Sequence, residues 1–361
     1  MEFFEVRNGL NKIFYLRLVK PILFAFDPEL CHKAFLTIGK ILNSNILTKK
    51  AVSILYAYEN KILEQKIFGK KFRNPIGLAA GFDKNAEIIG LMKDVGFGFA
   101  EAGSITAKAC RGNPGKRLHR IVHKKSLLVN LGLNNRGVDR ITKYLKGRKY
   151  NLIFGVSVAK TNCAETANDE IGLKDYIYSI KKLKGIGDYL TLNISCPNAY
   201  GGQPFSRPAI YEKLLKEISK LKINQPVFVK MSPDLPEKNV DEIIRISLKY
   251  KIKGFVCSNL TKEGIKGSGG YSGKIVSKKS DELLAHIYKK TKGKFVLIGA
   301  GGVFSAEDAY RKIKLGANLV QLMSGMIFEG PSLIGEINHG LAKLLKKDGF
   351  KNIAEAVGKG I

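Results

Sequence analysis

The chain has 361 residues, 45% of them hydrophobic, and 61 Lys+Arg against 31 Asp+Glu give it a net charge of +30. That length holds one barrel-sized domain with an appendage, or two ordinary domains, and the apolar fraction excludes a disordered chain. Cysteines at 31, 110, 163, 196 and 257, none in a CxxC pair, exclude a zinc or iron–sulfur centre and a disulfide framework, and they point to a reducing compartment.

The positive excess suits an anionic partner, but its lysine pairs, such as Lys181–Lys182 and Lys289–Lys290, are scattered. Lysine-coated helix faces explain it as well. The first 60 residues read as amphipathic helices at 9–19, 28–42 and 46–58, split by Pro21 and by Asp27-Pro28. Their most apolar stretch, Ile13 to Phe26, carries Arg17, Lys20 and Pro21. It is too short and too charged to span a bilayer, although it could lie on one. No signal peptide is evident.

From about Ile62 the pattern changes. Eight β-rich runs follow: 75–81, 98–106, 152–159, 189–195, 226–232, 254–259, 295–302 and 318–325. Helical patterns separate them, including 86–94, 208–221, 238–250, 278–291 and 305–315. Continuous apolar strands alternating with helices imply a parallel sheet covered on both faces. Eight such units predict an α/β (β/α)8 TIM barrel over 61–361, with residues 1–60 as an N-terminal helical extension. The runs end in polar residues, among them Lys84, Ser104, Ser157, Asn193, Lys230, Asn259 and Ser324, which places a polar site at the strands' C-terminal ends.

The last two strand ends carry Gly299, Gly301 and Gly302, then Ser324-Gly325. Loops after strands seven and eight of a barrel commonly hold phosphate on free backbone N–H groups. Lys84 and Lys230 sit in apolar settings, where a buried ammonium needs an anion. A reduced flavin or a substrate carboxylate would supply one. Asn193, Asn198 and Asn259 offer the paired donor and acceptor that suit a pyrimidine's amide edge. In "LNISCPN" (192–198), Cys196 closes an apolar strand between two asparagines. A free thiol titrates near 8.5, within reach of activation as a general base; the bland alternative is a small buried hydrophobe.

The segments "FRNPIGLAAGFDKN", "LNISCPNAYGGQPF", "VFVKMSPDL", "GGYSGK", "LIGAGGVFSAEDA" and "LVQLMSGMIFEGP" together resemble the dihydroorotate dehydrogenases, FMN enzymes of pyrimidine synthesis. "FDPELCHKAF" is similar to a helix of their quinone-dependent, membrane-associated class, in which appended helices lead a quinone to the flavin. The resemblance implies that Ala80, Gly81, Ser104, Ser157, Asn193, Lys230, Ser258, Gly273, Gly302, Met323 and Ser324 hold FMN. It implies that Lys84, Asn193, Asn198 and Asn259 hold dihydroorotate or orotate, with Cys196 as base.

Cys196 departs from the quinone class, which ordinarily has serine there. Val129 stands where an orotate-binding asparagine is expected, Ser157 replaces a flavin-contacting asparagine, Leu260 a threonine or serine, and Met323 an aromatic. The implied protein is peripheral on the cytoplasmic face of the inner membrane and takes no nucleic acid and no metal. A tRNA-dihydrouridine synthase is the rival for the basic charge, but that family carries its helical extension at the C-terminus. A flavin-binding relative without orotate turnover is the rival suggested by Val129 and Leu260.

Overall fold

Eight apolar runs become strands, and these strands close on themselves. The computed structural model describes residues 2–265 and 267–361; Met1 of the expected extension and Lys266 lie outside the described residues. The strands are β1 (Gln65–Ile67), β2 (Lys70–Phe72), β3 (Ile76–Leu78), β4 (Phe99–Ile105), β5 (Leu118–Ile121), β6 (Ser126–Val129) and β7 (Ile153–Val158). They continue with β8 (Tyr189–Asn193), β9 (Val227–Lys230), β10 (Gly254–Cys257), β11 (Gly270–Gly273), β12 (Val296–Ala300) and β13 (Leu319–Leu322).

Strands β3, β4, β7, β8, β9, β10, β12 and β13 form a closed parallel barrel, and each falls within one of the eight expected runs. The β1–β2 hairpin and the antiparallel sheet β5–β6–β11 were not foreseen. Their strands are three or four residues long, too short to show a period.

Alternation along the strands sorts the barrel interior into layers. Phe99, Tyr189, Phe228, Val256, Ile298 and Leu319 pack together with Phe72 as an apolar floor. Glycine makes room for the rings: a Cβ on Gly155 would collide with the Tyr189 ring, and one on Gly77 with Phe99. Overpacking of this kind costs about 1–3 kcal/mol. Two residues further along β4, β8 and β13 the layer turns polar, with Glu101, Thr191 and Gln321 all fully buried.

The first helical run differs from expectation. Helix α1 (Glu2–Phe14) passes through a π-turn (Tyr15–Val19) into α2 (Lys20–Ala25), so Pro21 does not break it. The Lys20 N–H reaches back to the Tyr15 carbonyl, and Pro21 falls in the first turn of the next segment, where a missing N–H is tolerated. Asp27 then caps α3 (Pro28–Ser44) by accepting from the N–H groups of Glu29 and Leu30 at 2.9 and 3.0 Å. Asn45 caps α4 (Ile46–Tyr56).

On the barrel, α5 (Ile89–Val95), α6 (Val138–Leu145), α7 (Asp169–Leu183), α8 (Pro208–Ser219), α9 (Glu237–Lys249), α10 (Ser277–Thr291), α11 (Ala306–Lys314), α12 (Ser324–Glu329) and α13 (Leu333–Lys347) complete the chain. Of 23 exposed large hydrophobic residues among those described, 16 lie within the first 56 positions. The apolar outer surface is therefore concentrated on α1–α4. No helix among the described residues is long and apolar enough to cross a membrane.

Candidate active site at the barrel mouth

Polar side chains at the ends of β4, β7, β8 and β10 form one hydrogen-bonded chain. Ser157 Oγ on β7 lies 2.9 Å from Ser104 Oγ on β4, which accepts from Asn193 Nδ2 on β8 at 2.8 Å. Asn193 Oδ1 accepts from Asn259 Nδ2 beyond β10 at 3.1 Å, and the same amide donates to Ser195 Oγ at 3.0 Å. Ser195 Oγ closes the chain on the Lys230 carbonyl at 2.7 Å. The sequence-predicted residues Ser104, Ser157, Asn193 and Asn259 are thus brought together by direct bonds that reach across intervening strands as well as between neighbours. Ser157, shorter than the asparagine of the resemblance, spends its hydroxyl on Ser104.

Ala80, Lys230, Ser258, Asn259, Leu260, Gly273, Gly302, Met323 and Ser324 line one cleft, whose enclosed part is about 80 Å³. Two observations test whether these residues fit a flavin nucleotide. The Lys230 side chain is buried and donates to no acceptor among the described residues, and desolvation pushes its pKa down. An electron-rich ring edge would satisfy it. The N–H groups of Gly302, Val303, Ser324 and Gly325 likewise have no acceptor among the described residues, which suits a phosphate. Glycine at 302 is required by space, because a Cβ would strike Ser277. The residues present fit the group.

Cys196 lies in the loop after β8, which is pinned at both ends. Ser206 Oγ donates to the Ile194 carbonyl at 2.8 Å, and Lys160 Nζ to the Tyr200 carbonyl at 2.5 Å. Asn162 Oδ1 accepts from the Tyr200 N–H, and Asn113 Nδ2 donates to the Asn198 carbonyl at 3.1 Å. The sequence reading missed Asn113, Lys160 and Asn162; their only signal was polarity in loops after β4 and β7. Desolvation pushes the Cys196 thiol up to about 11, with Lys160 and Lys230 opposing it. Burial thus raises the thiol above its free value near 8.5, and by itself this loop holds it protonated.

Asn198 is buried, donates to the Val129 carbonyl at 3.0 Å and leaves Oδ1 without a partner. The Val129 side chain lines a separate apolar cavity of about 330 Å³ beneath α1–α4. Gly81, Lys84 and Met323 line that cavity too, so Met323 stands in the wall shared with the cleft. Burial lowers the Lys84 pKa to about 8, while Glu29 and Asp83 raise it.

Glu29 grips Arg117 through two bonds of 2.6 and 2.8 Å and ties α3 to the barrel. His32 turns its ring edge-on to Phe82 with centroids 4.8 Å apart, and burial drives its pKa down to about 3. It enters the cavity uncharged. Asp27, Glu29 and His32 of "FDPELCHKAF" therefore cap, clamp and line.

The family profile for dihydroorotate dehydrogenase matches residues 62–345. A Sulfurimonas denitrificans protein named dihydroorotate dehydrogenase (quinone) is 38% identical over 347 residues, covering 94% of this chain and 97% of its own. A Gloeobacter violaceus protein of the same name is 35% identical over 352 residues, covering 95% and 98%. The solved structure of Eimeria tenella DHODH in complex with ferulenol superposes with a TM-score of 0.82 at 26% identity, covering 92% of this chain and 95% of that one.

Proposed function

The chain belongs to the dihydroorotate dehydrogenase family, and on that premise we propose that its barrel mouth oxidises dihydroorotate with FMN while the cavity under α1–α4 admits the quinone acceptor. The family is flavin-dependent. One observation carries the reading: a cleft holding a buried lysine with no acceptor among the described residues shares the Met323 wall with an apolar cavity. Bound FMN would supply acceptance of two electrons from the substrate and their delivery to the quinone.

The protein's own groups do the rest. Lys84 attracts the substrate carboxylate, and Asn193, Asn198 and Asn259 meet the amide edge of the ring. Cys196 Sγ takes the C5 proton. Lys230 offers positive charge along the cleft, with Ser104, Asn193 and Ser157 fixing its polar rim. Ala80, Gly81, Ser258, Gly273, Gly302, Met323 and Ser324 complete the FMN site. Residues 61–361 act as the catalytic barrel and 1–60 as the quinone-access segment. The exposed apolar residues of α1–α4 support peripheral attachment to a membrane surface, which on this proposal is the cytoplasmic face.

Purified protein should be yellow, with about one FMN per chain. With dihydroorotate it should reduce a quinone faster than fumarate or NAD. A folded protein that stays colourless in added FMN overturns the reading, and preference for fumarate or NAD overturns the quinone assignment.

A further inference from the structure

Lys312 on α11 has no part in the chemistry assigned so far, yet its side chain is fully buried beside β12. Gly299 leaves it space, since a Cβ there would come within 3.0 Å of Lys312 Cδ. Nζ donates to Asp281 Oδ1 at 2.6 Å and to Ser280 Oγ at 3.0 Å, both on α10. Ser280 Oγ in turn donates to the carbonyl of Ala300, the last residue of β12, at 2.6 Å; the Cys257 carbonyl lies further off, at 3.2 Å. A hydroxyl that accepts from an ammonium turns its single proton away from it. Lys312 therefore aims the Ser280 proton at the backbone that enters the glycine loop.

The far end of the same loop is held by a second charged group. Asp308 Oδ2 accepts from the Phe304 N–H at 2.9 Å and from Lys274 Nζ at 2.7 Å. Arg311 bonds both carboxylates, Asp308 at 3.1 Å and Asp281 at 2.8 Å. The ionic chain Lys274–Asp308–Arg311–Asp281–Lys312 thus brackets residues 301–303, with the carbonyl before them and the N–H after them both fixed. Between those ends Gly301 and Gly302 have φ of +104° and +76°, and such backbone is free to reorient its N–H groups unless its ends are held. The N–H groups of Gly302 and Val303 are two of the four without an acceptor. Burying an ammonium is costly, and a methionine would fill the same space without that cost. What only lysine brings is the charge-assisted bond to Ser280 and Asp281.

We propose that Lys312 is a positioning residue for the phosphate of the bound flavin nucleotide: through Ser280 it fixes the Ala300 carbonyl, and with it the direction in which the N–H groups of Gly302 and Val303 point. The inference rests on the flavin reading above and extends it from the loop that would hold the phosphate to the charge that holds the loop. An ion pair that only joined α10 to α11 would add stability and treat all flavins alike.

The test is a competition on the yellow holoenzyme between FMN and riboflavin, which carries the same ring and ribityl chain without the phosphate. Protein is equilibrated with mixtures of the two, riboflavin in large excess, free flavin is removed, and the bound flavins are separated and counted. The ratio cancels any general loosening of the site. Lys312→Met should lower the preference for FMN about tenfold, the worth of one lost bond. Ser280→Ala should lower it by a similar factor. The double variant should also lose about tenfold, and not the product of the two losses, because both residues act through one link.

An unchanged preference in Lys312→Met overturns the inference, as do losses that multiply in the double variant. If Lys312→Met does not fold, Ser280→Ala decides, and an unchanged preference there overturns it equally. A parent protein that binds no flavin removes the functional reading and this inference together. A yellow parent whose variants keep its preference for FMN removes the inference alone.

Discussion

The barrel mouth and the cavity beneath α1–α4 meet at Met323, yet they are built as different solvents. At the mouth, Ser157, Ser104, Asn193, Asn259 and Ser195 bond one another in sequence, and Lys230 is left with its charge unpaired. In the cavity the lining is mostly hydrocarbon, with Lys84 and Arg120 at its charged edge, and the one imidazole, His32, is held neutral by burial. A polar heterocycle gains from the first environment because it replaces water's hydrogen bonds one for one. A lipid-soluble acceptor gains from the second because most of the wall it covers is apolar and little there needs to be desolvated at a cost. Two regions with incompatible solvent character can sit a side chain apart when one wall is shared, and on the proposed reading this lets each host its own half-reaction.

The strongest way to break the comparison is Cys196→Ala. It should slow flavin reduction by dihydroorotate about 10³-fold, within the usual range for a lost general base, with FMN content unchanged. Stopped-flow bleaching of the flavin measures it, and parent-like bleaching would return Cys196 to a packing role. Cys196→Ser should keep part of the activity.

The pH dependence sharpens the same point. A thiol raised to about 11 is protonated throughout the neutral range, and only its thiolate accepts a proton. The flavin-reduction rate of the parent should therefore climb about tenfold per pH unit from pH 7 to pH 9, and go on rising. A plateau near 8.5 would show that bound substrate and flavin cancel the effect of burial.

The cavity side is probed by Phe35→Glu, which puts a carboxylate into an apolar lining at a partly exposed position. The KM for a long-chain quinone should rise about tenfold or more, with flavin reduction by dihydroorotate unchanged. Equal loss of both half-reactions would mean that the two regions are one site. The smallest effect belongs to Glu29→Gln, which loosens the α3 clamp on Arg117. Thermal unfolding should show a loss of about 1–3 kcal/mol, and quinone turnover should fall a few-fold. An unchanged Tm would show that α3 is held by its apolar contacts alone.

Much of the site was legible because catalytic barrels place chemistry at strand ends, and strand ends can be read from where an apolar run turns polar. Lys230, Asn193, Asn259 and Ser324 were found that way. Asn113, Asn162 and Lys160 were not, since each acts across loops that are distant in sequence, as the 85-residue separation between Asn113 and Asn198 shows. Pro21 misled for a related reason: its cost depends on whether the preceding turn needs its N–H, and the π-turn at Tyr15–Val19 removes that need.

By itself the sequence determined the number of barrel strands, their polar ends and the cap of α3 at Asp27, because period, propensity and capping act over a few neighbouring residues. Only the tertiary structure decided which of those polar groups are paired and which are left free. It buried Glu101 among donors from two other strands and raised the Cys196 thiol to about 11. It also set Met323 between two cavities. These are properties of burial and of contacts between strands far apart in the chain, and desolvation has no local signature to read.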